Sequence, residues 1–590
     1  MAEIDSVAEL AAVLREICQT QNCTEILRGL VFYGFASSDS SNGTAGAGQS
    51  CSPNGVVVQP DCGNANSDEP GMRRADHVWQ IRSAFTILTM QSGFALLETG
   101  CVSSKNIANI MVKNIVDVAF GGLCYWMLGY GMSFGRPANA FCGMGDFFLN
   151  HVDLSEMGEI YTQFFFQFSF ASTATTIVSG AIAERMKLHA YMIYSFFNTF
   201  CYCLPAAWIW NEAGFLRRLG YYDFAGVFTV HGNGGASALV AAWMLGPREG
   251  RFHSPENYRM SSPVTALTGT MLLWWAWFAF NTGSSLGSEG ESGQLWKVNA
   301  LVAVNTLNGS IAGSLAGFVL SLILKRGKVD VAYVINSVLG GLVAITGICS
   351  VTTPIECLVV GAIGAVVAIG TSPLLERMKI DDPVGAIPVH LGAAVWGTLA
   401  IGIFGKNNFL NFLNDRDGFL HGGGLYLLGI QLLGILCVSI WSGLSTFLIL
   451  VAVDKTLGIR LSAKEEALGA DIVEHELLGA EGLRGLAAGK KAPPTQQLHF
   501  GQQPSYQPGG LNTVVAAKTM SRHWAKKARI ASAQRRSTFA GTPTVYPAGK
   551  PDLDRPLYKS FAAESSDSGS VSTLSTGSVT QANGTYVQYI

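Results

Sequence analysis

Charge is scarce in this 590-residue chain: 14% of its residues are Asp, Glu, Lys or Arg, against about 25% in an average soluble chain. With 49% apolar residues and a positive mean hydropathy, that scarcity excludes a conventional set of aqueous domains. An excess of either sign is missing too. The formal net charge is −2, so the chain lacks the basic balance of a nucleic-acid binder. No CxxC pair frames a structural zinc and no HExxH run a catalytic one. The same composition excludes collagen, a coiled coil and a disulfide-framework miniprotein. The first 75 residues lack the basic start and continuous apolar core of a cleavable signal peptide. If that segment is external, it crosses as a tail.

What the chain has in quantity is apolar length. Between residues 76 and 455, eleven apolar stretches of roughly 20 residues, each long enough to cross a bilayer as a helix, alternate with short polar breaks. They run over 78–100, 112–133, 160–183, 189–210, 223–245, 262–284, 297–325, 331–350, 354–376, 383–404 and 424–454. Glycine (68 residues) and phenylalanine (32) suit close packing of such helices. Lys105, Arg185, Lys187, Arg248, Arg251, Arg259, Lys325, Arg326, Lys328, Arg377 and Lys379 all fall in odd-numbered connections. Even-numbered ones are less basic, although they hold Arg217, Arg218, Lys406 and Arg416. The positive-inside rule then predicts an outside N-terminus and a cytosolic C-terminus. The expected fold is an all-α polytopic membrane protein. It comprises an extracellular tail (1–75), a transmembrane domain (76–455), a cytosolic regulatory segment (456–487) with a short amphipathic helix over 456–480, and a disordered tail (488–590).

Cys18, Cys23, Cys51 and Cys62, beside sequons at Asn22 and Asn42, fit an oxidising, glycosylated exterior. Cys101, Cys124, Cys201, Cys203, Cys349, Cys357 and Cys437 lie in or beside apolar runs and read as small hydrophobes. Residues 520–536 form a basic helical stretch with Trp524 and Ile530. It reads either as a solvated tail or as a binder of inner-leaflet lipid or a cytosolic regulator. Ser537, after two arginines, is a candidate phosphorylation site.

Two distant segments echo each other. DFAGVFTVHG (223–232) and DPVGAIPVHLG (382–392) each set a Val-His pair so that the His follows an Asp by eight residues. They open the fifth and tenth spans, and an odd number of intervening crossings reverses direction. This is the signature of an inverted repeat of two five-helix halves, followed by a long eleventh helix. Asp382 before Pro383 predicts an N-cap with Pro at the first helical position, and Asp223 predicts a similar start. Eight residues at about 1.5 Å rise carry His231 and His390 about 12 Å inward, close to halfway through a roughly 30 Å hydrocarbon core. Ionisable residues within a membrane are costly and functional by default. Two satisfied packing histidines are the structural alternative, and Asp223 and Asp382 read first as caps with a secondary role in conduction.

Together with TMQSGFALLETG, KNIANIMVKNIVD, SGAIAER, GNGGASALVAAWMLGPREGRF, WFAFNTGSS and VNT, these residues resemble the ammonium transporter (Amt/Mep/Rh) superfamily over about 75 to 476. The wording is similar to a eukaryotic branch close to invertebrate members. The resemblance implies a plasma-membrane homotrimer with one pore per subunit, ammonium or ammonia as permeant, no cofactor and no enzymatic activity. Position by position it implies an outer ammonium site at Trp210, Ser284 and Phe170, a gate of Phe170 and Phe280, and pore histidines His231 and His390. Trp277 and Phe166 would be neighbouring lining residues. Aromatic faces attract a partly desolvated cation, and a serine oxygen accepts an N–H that an alkali ion does not have. An interfacial belt for Trp210 and core packing for Phe170 and Phe280 are the structural alternatives.

Several positions depart from the family's pattern. Phe228 stands where small or Thr residues are common, Leu391 separates His390 from the next glycine, and Ala207 replaces a frequently polar vestibule residue. Residues 469–478 resemble the family's regulatory C-terminus only in part, with Val473 where plant relatives carry a phosphorylatable threonine. The expected function is ammonium transport, with ammonia passing the twin histidines with or without the proton. The alternative is an ammonium sensor signalling through its C-terminal tail. A metal hydrolase is disfavoured, because an Asp and a His about 12 Å apart along a helix cannot ligate one ion.

Overall fold

The computed structural model describes residues 74–150 and 153–477. The candidate sites Asn22, Asn42 and Ser537, the four N-terminal cysteines and the basic stretch 520–536 lie outside those residues. Among the described residues the chain is helical, with two isolated β-bridges and no strand. The principal helices are α1 (Arg74–Cys101), α2 (Ile107–Ser133), α3 (Leu154–Ala181), α4 (Leu188–Trp210), α5 (Val227–Gly232 continuing into Asn233–Leu245) and α6 (Pro263–Gly283). They continue as α7 (Leu295–Leu324), α8 (Val331–Thr346), α9 (Pro354–Arg377), α10 (Pro388–Phe404) and α11 (Tyr426–Leu457). Among the described residues α2, α4, α6, α7, α9 and α11 are long and apolar enough to cross a membrane.

Local chemistry sets several of these starts. Ser262 accepts the Thr265 N–H with Pro263 in the first position of α6. Thr353 and Glu356 form a reciprocal capping box ahead of α9, and the Asp330 side chain accepts from the amides of Ala332 and Tyr333 at α8. Small residues bring helices together at backbone range. A Cβ on Gly100 of α1 would lie 2.3 Å from the Ala266 nitrogen of α6, and one on Gly269 would lie 2.3 Å from the Leu97 nitrogen. The outward faces carry the large apolar side chains instead: Phe85, Trp243, Trp275, Leu315 and Ile440 are each at least 60% exposed. An exposed apolar surface of that extent requires apolar surroundings.

Two expectations are corrected. α5 and α10 do not begin at Asp223 and Asp382 with Pro383 in the first turn, because Gly226 (φ +92°) and Gly385 (φ +84°) adopt left-handed conformations that a helix cannot incorporate. The segment after residue 456 is also not one amphipathic helix. It forms two short helices, Ala463–Leu468 and Ala470–Val473, separated at Gly469 (φ +102°).

The first, third, fifth and ninth connections meet on one face of the bundle. Arg185 donates to the carbonyls of Gly246 and Asp381. The buried Arg248 guanidinium pairs with Glu184 and, at 2.7 Å, with Asp381. Burial alone would raise the Asp381 carboxyl, but its bonds to Arg248 hold it below its ordinary value. The C-terminal segment docks on the same face. Lys105 Nζ donates to the Glu466 carbonyl. Asp471 accepts from the amides of Ala108 and Asn109 at the start of α2, and Glu474 accepts from the Leu188 amide at the start of α4. Each acid thus sits at a helix N-terminus, where the macrodipole favours negative charge.

Candidate functional site

Backbone geometry aims the two histidines. The buried Asp223 carboxylate accepts from the amides of Gly226, Val227, Phe228 and Thr229 at 2.7–3.0 Å and from the Thr229 hydroxyl at 2.8 Å. Asp382 does the same for Gly385 and Ile387, at 3.0 and 2.7 Å. Both aspartates therefore gather orphan amides ahead of a helix, as their reading as caps requires, though across a glycine bend. The chain then enters a π turn in each case, Val227–Gly232 and Pro388–Gly392, and each turn contains the histidine. The segments meet at close range, since a Cβ on Gly235 would lie 2.5 Å from the Leu391 nitrogen.

His231 and His390 face each other Nδ1 to Nδ1 at 3.2 Å, 0% and 3% exposed. One nitrogen of such a contact must donate and the other accept, so two neutral rings have opposite tautomers. One Nε2 then carries a proton while the other is bare. His231 Nε2 is buried with no hydrogen-bond partner in the protein. Trp277 supports the pair from the side: its ring stacks on His231 at 4.9 Å, and its Nε1 donates to Thr346 Oγ1 at 2.8 Å.

Directly over His231 lie the two phenylalanines. Phe280 is 5.5 Å from the imidazole, and Phe170 stacks on Phe280 at 4.2 Å with 19° between the planes. Above them opens a vestibule of about 720 Å³ lined by Phe170, Phe166, Trp210, Ser284 and Asp223 among others. Trp210 stands edge-on to Phe170 at 5.9 Å and donates its Nε1 hydrogen to the Asp223 carbonyl at 2.9 Å, so it is anchored in the site. Ser284 donates its hydroxyl hydrogen to the Phe280 carbonyl at 2.8 Å, leaving its oxygen free to accept. The arrangement offers an aromatic and hydroxyl-lined cup, a dry double ring and a buried pair of imidazoles.

Trp210, Ser284, Phe170 and Asp223 therefore line one vestibule, and Phe280, His231, His390 and Trp277 follow Phe170 in ring-to-ring contact, while Asp382 caps the start of α10. Phe228 does not line the vestibule and is buried against Gly232, where a Cβ would meet its ring at 2.5 Å. Ala207 does not line the vestibule. Among the described residues no cluster of His, Cys, Asp or Glu is placed to hold a metal ion.

Gln167 and Glu98 are absent from the expectations drawn above. Gln167 lines the vestibule at 6% exposure with Oε1 unpartnered. Its only sequence signal is a polar residue inside a phenylalanine run. Glu98 is a buried carboxyl on α1 near the opposite side of the histidine pair. Its signal is an acid inside an apolar span.

Comparison with known proteins bears on the family of the chain. The model of the Ammonium Transporter Family matches residues 78–479. A Caenorhabditis elegans protein named for ammonium transport is 42% identical over 430 residues, which cover 71% of this chain and 62% of that relative's length. Ammonium transporter Amt2 of Archaeoglobus fulgidus is 36% identical over 418 residues, covering 68% of this chain and 87% of the relative. Among solved structures, a "Sensor Amt Protein" is similar with a TM-score of 0.62 at 32% identity, covering 68% of this chain and 98% of that one. Candida albicans Mep2 gives 0.60 at 26% identity, covering 66% and 87%.

Proposed function

Since the chain belongs to the ammonium transporter family, we propose that it carries ammonium across the plasma membrane through the path from Trp210 to the histidine pair. In this reading all eleven helices span the bilayer as two inverted five-helix halves plus α11. The vestibule faces outward, the basic face is cytosolic, and three copies assemble with a pore in each. The observation that carries the reading is the stacked Phe170 and Phe280 pair set between a cation-attracting cup and the two buried imidazoles. Ammonium is recruited by the faces of Trp210 and Phe170 and by the lone pairs of Ser284. Moving an intact cation past the rings is expensive, so a proton is given up near the gate. Ammonia then passes along His231 and His390, whose opposite tautomers offer it one acceptor and one donor, and the imidazoles relay the proton.

The test is ammonium uptake recorded together with current, in cells lacking their own transporters, for the native chain and for His231→Ala with His390→Ala. Uptake that depends on the pair is expected. A native chain at the surface that takes up no ammonium refutes transport. A sensing role has one observation in its favour, the docking of Asp471 and Glu474 onto the starts of α2 and α4, which ties the segment ahead of residue 478 to the bundle. Deleting 478–590 then removes a cellular response to ammonium while leaving uptake intact, whereas under transport alone no response is lost.

A further inference from the structure

Beyond the histidine pair, away from the vestibule, the packing opens again. A small cavity there is lined by His390, Phe94, Leu97, Asn336, Val384 and Glu98. α1 fixes the direction: Gln80 near its start bonds to the Leu286 carbonyl at the vestibule, and Ser103 just past its end bonds to Glu184 on the basic face. Glu98 lies close to that end and is 2% exposed. It is an acid that shares a cavity with a pore imidazole.

The surroundings hold the carboxyl without using it up. One oxygen accepts from Ser179 Oγ at 2.5 Å and the other from Asn114 Nδ2 at 2.6 Å. A carboxylate has about four acceptor positions, so two remain for the cavity. Gly180 leaves that space clear, since a Cβ there would lie 3.0 Å from Glu98 Oε1 and 3.1 Å from Val384. The other charged groups acting on Glu98 are Lys113 and Asp117 of α2, and neither lines the cavity. Lys113 donates to the Met186 carbonyl, and Asp117 accepts from Tyr191 and Ser195. Cys101, one turn further along α1, and Asp382, the cap of α10, are also near this end of α1. An ionisable side chain inside the apolar layer is costly and is functional by default, whereas a neutral amide can fit here only by accepting from Asn114 and donating to Ser179 Oγ, with the Ser179 hydrogen moved to the Thr176 carbonyl at 2.6 Å.

We propose that Glu98 is the proton carrier on the inner side of the histidine pair. The inference rests on the transport reading above. His390, protonated by relay, gives its proton to the Glu98 carboxylate and returns to neutral imidazole. The resulting carboxylic acid protonates the ammonia arriving in the cavity, so ammonium leaves and the carboxylate is restored. One proton and one ammonia thus cross by adjoining routes and recombine at this side chain.

The experiment compares charge moved per ammonium taken up, by simultaneous current and 15N-ammonium uptake, for the native chain, Glu98→Gln, Glu98→Asp and Ser179→Ala. The ratio is taken per ammonium, so it does not depend on how many molecules reach the surface. Glu98→Gln keeps the bond from Asn114, can replace the Ser179 bond by one in the reverse direction once the Ser179 hydrogen turns to the Thr176 carbonyl, and loses the titratable proton. Its ratio is expected to fall by about tenfold or more while ammonium uptake persists. Glu98→Asp and Ser179→Ala are expected to keep the native ratio, which a merely structural role for Glu98 does not predict. A native ratio in Glu98→Gln, or native uptake without current, overturns the inference and leaves the transport reading standing. A native chain without uptake overturns both.

Discussion

Replacing Ser284 by alanine isolates the acceptor at the mouth of the path. The Ser284 hydroxyl hydrogen is committed to the Phe280 carbonyl at 2.8 Å, so what it presents to the vestibule is lone pairs. A hydrogen bond involving a charged partner contributes about 1.5–3 kcal/mol, and each 1.4 kcal/mol is about tenfold in an equilibrium constant. Ser284→Ala is therefore expected to raise the half-saturating ammonium concentration roughly 10- to 100-fold. Binding lost before the rate-limiting step leaves the maximal rate nearly unchanged. Ser284→Thr, which retains the oxygen, should stay near native. The assay is uptake against ammonium concentration, normalised to surface-labelled protein. An unchanged half-saturation point, or a fall confined to the maximal rate, would refute the assignment of Ser284 as an acceptor for ammonium.

Gly235→Ala places a carbon 2.5 Å from the Leu391 nitrogen, whereas Gly370→Ala meets nothing within 4 Å. The first should therefore abolish most uptake and lower the melting temperature in detergent, and the second should do neither. Asp223→Asn turns an amide N–H₂ toward amides that need acceptors, costing about 1–3 kcal/mol for each group left unpaired; a lower melting temperature and reduced uptake should follow. Arg248→Ala strands Glu184 and Asp381 in a buried site and should cost about 3–5 kcal/mol, measured as loss of folded, detergent-extractable protein. Because Arg248 keeps the Asp381 carboxyl below its ordinary value, its contribution is present at neutral pH and lost as the pH falls below about 4. The native chain's melting temperature should drop over that acid range, and Arg248→Ala should show a smaller drop.

Apolar length made the bodies of the helices legible, whereas the caps at Ser262, Asp330 and Thr353 were not among the expectations and came from the structure. The histidine pair was legible because the Asp-to-His spacing occurs twice. The starts of α5 and α10 were not, because an aspartate can satisfy helix amides across a glycine bend as well as next to the first turn, and only the φ of Gly226 and Gly385 distinguishes the two. Stacking of Phe170 on Phe280 is a contact between α3 and α6 that no local pattern encodes; the family resemblance supplied it. Glu98 escaped for the opposite reason. It has no echo in the second half, and its meaning depends on α10 bringing His390 to the same cavity.

The π turns at Val227–Gly232 and Pro388–Gly392 make the aim of each histidine a matter of chain length. A π turn is an α turn with one residue more. Removing the extra residue from either stretch would close it to an α turn, leaving the helix beyond in register but abolishing the widened turn in which the imidazole sits. The two stretches spell VFTVHG and PVHLG, sharing few letters, yet each sets its histidine eight positions after its aspartate. The two stretches differ in their letters and agree in the count.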